Sequence, residues 1–76
     1  MMKIAMEIIQ AQNALKEVYG EEGYQQLLAA VQKTVDAIKQ KAPKLPTMLI
    51  LSGLAKDENY CSEARLAFFA AMGEME

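Results

Sequence analysis

Apolar side chains in the first forty-two positions recur at alternating intervals of four and three, a spacing that belongs to one face of an α-helix and not to a strand. Ile4, Ile8, Ala11, Leu15 and Val18 share such a face over Met2 to Tyr19, while Lys3, Glu7, Gln10, Asn13, Lys16 and Glu17 fall mostly outside it. Tyr24, Leu28, Val31, Val35, Ile38 and Ala42 repeat the pattern, with Leu27 widening the stripe. Between the two stretches, Gly20 stands where a left-handed residue closes a helix. Gly20-Glu21-Glu22-Gly23 then reads as a short acidic turn whose carboxylates favour the positive end of the next helix. Lys39, Lys41 and Lys44 suit the carbonyl end of that second helix, and Pro43 and Pro46 stop it. Two helices of similar length on a short glycine-bearing turn predict an antiparallel helical hairpin.

The remaining third is punctuated differently. Pro43 to Pro46 is expected to be extended, with Thr47 as N-cap of the next segment. The run Met48-Leu49-Ile50-Leu51 opens a stretch to Ala55 that is too short for periodicity alone to assign. A strand there would need a pairing partner that no other part of the chain supplies, so the stretch reads as a short buried helix. Lys56 to Asn59 is polar, and Asp57 or Asn59 is the expected N-cap of a last helix ending near Gly73. Leu66, Phe69, Ala70 and then Met72 or Gly73 form its expected inner stripe, and Phe68 either broadens that face or opens a second one. Glu74-Met75-Glu76 places negative charge at a helix carboxyl end and is expected to fray. The fold class is therefore all-α: a compact bundle of three to four helices in a single domain, 1–76, built on the N-terminal hairpin.

A chain of 76 residues sits at the lower end of what folds without a staple. One cysteine, Cys61, cannot close an internal disulfide, and without histidine the usual structural zinc sets cannot be assembled. With 53% hydrophobic residues on so small a chain, self-association is the staple that remains. The charges, −2 net, are interspersed, which disfavours nucleic acid or an anionic membrane as a default partner. No signal-peptide pattern opens the chain and no apolar run approaches a membrane span, so the sequence reads as cytoplasmic and soluble.

Chemistry-bearing patterns are sparse. Without histidine the commonest general base is missing, and the adjacent acids Glu21 with Glu22, and Asp57 with Glu58, read as solvated helix-start residues. Cys61, expected in the first turn of the last helix, could be activated by the dipole, but a small buried hydrophobe is the plainer reading. Gly20 to Gly23 encloses two acids that reject a phosphate. The short helices around Gly53 suggest a helix-turn-helix, yet Asp57, Glu58 and Glu63 would repel phosphates and Arg65 is the only base on the second of them. Met1, Met2, Met6, Met72 and Met75 gather at the two ends, where core filling explains them as well as a soft apolar patch.

These readings converge on a non-enzymatic helical interaction module, an adaptor, inhibitor or small regulatory subunit, with no catalytic, cofactor or metal residues. It is expected to pair with itself, a dimer before anything larger, and to accept a further protein partner; no membrane partner is expected. Ile4, Ile8, Leu15, Phe68 and Met72 are the expected interface. The alternative is a dimeric DNA-binding regulator presenting Lys39, Lys41 and Lys44.

Overall fold

A straight helix of 40 residues would be roughly 60 Å long, yet the molecule measures 34 Å along its longest axis, so the first helix has to bend. The computed structural model describes the backbone of residues 2–75 and the side chains of residues 6–75. Its elements are α1 (Met2–Lys41), α2 (Thr47–Lys56) and α3 (Ser62–Met72), with no strand among the described residues.

The bend in α1 is a single residue. Gly20 has φ 75° and ψ 175°, a region open essentially to glycine alone. Gly23 is needed as well, because a Cβ there would lie 2.8 Å from Cβ of Tyr19. The expected four-residue turn thus shrinks to Gly20, and Glu21, Glu22 and Gly23 are already helical; one glycine absorbs the whole change of direction. The bend divides α1 into an N-terminal arm (residues 2–19) and a C-terminal arm (residues 21–41). Ala11 and Leu15 of the first arm enter the same core as Tyr24, Val31 and Val35 of the second.

Helix α1 ends at Lys41, with Lys39 and Lys41 at its carbonyl end. Residues 42–45 then form a turn closed by Leu45 N donating to Ala42 O at 3.1 Å, in place of the expected extended segment. Pro43 occupies the second turn position, where its fixed φ is an advantage. Pro46, extended at φ −66° and ψ 146°, is the N-cap of α2. Its carbonyl accepts from Leu49 N and Ile50 N at 3.1 Å each, so Thr47 lies inside the helix and does not cap it.

The segment after Thr47 is helical as expected and buries Ile50, Leu51, Leu54 and Ala55. The next boundary falls later than the sequence suggests. Asp57 closes α2, its Oδ1 accepts from Asn59 N at 2.9 Å, and its carbonyl accepts from Tyr60 N at 3.2 Å. The carboxylate is therefore spent on a local turn, and Cys61 becomes the N-cap of α3.

Helix α3 is the centre of the bundle, packing on both α1 and α2, which touch each other only slightly. Its buried residues are Ala67, Phe68, Ala70 and Ala71, while Leu66 is partly exposed and Phe69 half-buried. The inner stripe is thus displaced by about one residue from the expected one, a turn of roughly 100°. An element enclosed from two sides gains from alanine, whose small side chain lets both neighbours approach. The tail does not fray at Glu74: its backbone N–H donates to Ala71 O at 3.0 Å, and its carboxylate accepts from the Tyr24 hydroxyl at 2.6 Å and Gln12 Nε2 at 3.2 Å. Those neutral donors offset the unfavourable end charge. Glu76 lies outside the described residues.

Candidate functional site

The five residues expected at the interface are placed unevenly. The side chain of Ile4 lies outside the described residues. Leu15 is 2% exposed and Phe68 4% exposed, both inside the chain's own core, with the Phe68 ring edge-on to Tyr60 at 5.1 Å and 83°. Ile8 and Met72 are half-buried, Ile8 against Gly73, where an added Cβ would meet its Cγ2 at 2.7 Å. The start of α1 and the end of α3 therefore meet, and Met72 and Met75 lean on the core there.

The large apolar side chains that remain in solvent are others. On the N-terminal arm they are Met6, Ile9, Val18 and Tyr19, Val18 being 72% exposed. At the α1–α2 junction they are Leu45, Met48 and Leu49, the last 60% exposed, and Leu66 on α3 stands apart from both groups at 36%. The sequence carried a signal for both groups: four consecutive apolar residues on a helix, as in Met48 to Leu51, or the adjacent pair Ile8-Ile9, cannot all face one way. Ile50 and Leu51 take the inner face of α2, which leaves Met48 and Leu49 outside. Val18 belongs to the four-three stripe, but it lies two residues before the bend, where the core no longer reaches it.

Charge separates around these groups. Glu17, Glu21 and Glu22 neighbour Val18 and Tyr19 along the chain at the bend, all exposed. The nearby Glu63 carboxylate raises the pKa of the Tyr19 phenol above the ordinary 10.0. Lys16 is drawn the other way, its Nζ 5.2 Å from the Tyr24 ring centroid. The charged residues nearest in the chain to Leu45, Met48 and Leu49 are Lys41 and Lys44, also exposed. Tyr24, almost fully buried, has its own phenol pKa pushed up by desolvation and then by the hydrogen bond to Glu74. The Gln12–Tyr24–Glu74 cluster joins residues 50 and 62 positions apart, and no local pattern could have announced it.

An open groove of about 240 Å³ lies between the C-terminal arm and α3, lined by Leu27, Ala30, Val31, Thr34, Tyr60, Ala64, Ala67 and Phe68. The Thr34 hydroxyl is already spent on Ala30 O at 3.2 Å. Such a lining can hold an apolar group by packing but offers no base or charged group to a substrate. Cys61, expected to be buried, is exposed and lies outside the groove, as do the acids at 21, 22, 57 and 58, of which Asp57 is half-buried. Arg65, the single base of α3, is half-buried, with its Nε out of solvent and without a hydrogen-bond partner.

Among the described residues no group of three or more Cys, Asp or Glu is placed to hold a metal ion, and no helix is long and apolar enough to cross a membrane. Comparison with protein-family models, curated proteins and solved structures finds no match for this chain.

Proposed function

We propose that the chain is a non-enzymatic, cytoplasmic protein–protein interaction module, an adaptor, inhibitor or small regulatory subunit, that associates with itself as a dimer. The observation that carries this reading is the outer face of α2. Ile50, Leu51, Leu54 and Ala55 already satisfy the core, yet Met48 and Leu49, with Leu45 before them, add apolar surface that the fold does not cover. In this reading α1 is the antiparallel hairpin that its sequence pattern suggests, supported by the approach of Lys16 to the Tyr24 ring across the bend. A half-buried Arg65 beside exposed acids favours a protein over a nucleic acid as the partner.

Light scattering after size-exclusion chromatography, over about a hundredfold range of concentration, tests the reading. A mass of twice 8.4 kDa at the upper end of the range is the expected result. A mass of one chain throughout would refute self-association and leave a foreign protein as the only partner for the face.

A further inference from the structure

Val18 and Tyr19 on the one hand, and Leu45, Met48 and Leu49 on the other, are exposed at opposite ends of the C-terminal arm, next to chain neighbours of opposite charge. The C-terminal arm of α1 starts at Glu21 and Glu22 and ends at Lys39 and Lys41, a span of roughly 30 Å at helical rise. That is nearly the whole 34 Å length of the molecule. At one end the exposed Val18 and Tyr19 have Glu17, Glu21 and Glu22 as chain neighbours and Glu63 near the Tyr19 phenol, while the nearby cation, Lys16, is turned to Tyr24. At the other end the exposed Leu45, Met48 and Leu49 have Lys41 and Lys44 as their nearest charged neighbours in the chain. Residues 37–56 contain Lys39, Lys41, Lys44 and Lys56 and no acid at all. The two ends are too far apart to satisfy each other within one copy.

We infer that the occupant of each end is the other end of a second copy: two chains lie side by side and antiparallel, so that the Leu45–Met48–Leu49 patch of each meets the Val18–Tyr19 bend of its partner. Lysines then face glutamates at both contacts, and a two-fold axis makes both contacts at once and closes the assembly at two. The inference rests on the self-association proposed above and adds which surfaces meet. It also explains why glutamates predominate in the chain next to one apolar group and lysines next to the other. A lone copy would carry two like-charged rims, which discourages pairing of either end with itself.

Charge-swap complementation tests it. Variant one is Lys41→Glu with Lys44→Glu; variant two is Glu17→Lys with Glu22→Lys. Each alone brings like charges together at both contacts and is expected to weaken self-association at least about tenfold. An equimolar mixture restores opposite charges at both contacts, one in native sense and one reversed, and should recover a 1:1 complex by light scattering. Association of the wild type should also weaken as salt rises and shortens the screening length from about 10 Å at 0.1 M to about 3 Å at 1 M.

Should either reversal fail to keep wild-type helicity by circular dichroism, Lys41→Gln with Lys44→Gln and Glu17→Gln with Glu22→Gln replace them, each expected to weaken association by a smaller factor. A wild type that dimerises while both variants dimerise as tightly would overturn this inference and leave self-association standing, as would a mixture no tighter than its components. Growth beyond two copies would overturn the closed antiparallel pair. A wild type that stays monomeric would overturn both proposals.

Discussion

The two arms of α1 differ by only a few residues in length, but they do different work. The C-terminal arm commits Tyr24, Val31 and Val35 to the core and leaves no large apolar side chain exposed. The N-terminal arm, among its described side chains, commits Ala11 and Leu15 and leaves Met6, Ile9, Val18 and Tyr19 in solvent. Besides those two it is held by Ile8 against Gly73 and by a polar clasp, in which Gln12 reaches Ala70 O at 3.3 Å and Glu74 at 3.2 Å. Apolar periodicity alone makes the arms look equivalent. The difference comes from α3, which is only 11 residues long and has to serve α2 as well. Folding is carried by the C-terminal arm with α2 and α3, while the N-terminal arm and the outer face of α2 hold the apolar surplus that a partner would cover.

The largest effect should come from attacking the committed side. Phe68→Ala removes a buried ring and leaves a void, for a loss of about 3–5 kcal/mol. That is comparable with all the stability a core of this size supplies, and loss of the cooperative thermal transition is the expected result. A variant that still melts cooperatively near the wild-type temperature would break the assignment of the core to this side.

The bend itself comes next. Gly20→Ala puts a Cβ on backbone held at φ 75° and ψ 175°, and the strain should cost about 1–3 kcal/mol in urea unfolding. An unchanged midpoint would mean that the division between the arms does not depend on this glycine.

Tyr24→Phe removes the 2.6 Å hydrogen bond to Glu74 and should cost about 1 kcal/mol. It also sharpens the comparison through pH. The folded-state pKa of the Tyr24 phenol is raised above the unfolded value near 10.0, so its contribution is complete below that pH and drains away as pH climbs from there toward the folded value. Wild-type stability should therefore fall more steeply than that of Tyr24→Phe above pH 10. Parallel declines would contradict a proton held by this contact.

The smallest effect on folding is expected on the outer face. Leu49→Gln changes a side chain 60% exposed, and the stability of the isolated chain should move by no more than about 0.5 kcal/mol. Its consequence should lie in association alone.

Most of the architecture is legible in the sequence because it is written in local terms. The four-three spacing places helical turns correctly from Met2 to Lys41, Gly20 marks the bend, and the prolines mark the stop. Local rules fail where two signals compete. Pro46 overrides Thr47 as a cap, and Asp57 is consumed by its own turn, so α3 starts at Ser62. The site was less legible than the fold. Leu15 and Phe68 are apolar enough for an interface, but which apolar residues a core leaves over depends on how far each helix reaches into it. That is settled by the length of α3 and the position of the bend, not by the periodicity of either arm. The clasp on Glu74 is likewise a product of three segments meeting.

The most direct test of a core that closes without the outer face of α2, and of an outer face that serves association, is the unfolding midpoint of wild type and Leu49→Gln across about a hundredfold range of protein concentration. The wild-type midpoint should rise with concentration while the Leu49→Gln midpoint stays flat, the two converging at the dilute end. Midpoints that differ equally at every concentration would contradict this division of labour, placing Leu49 in the stability of the single chain.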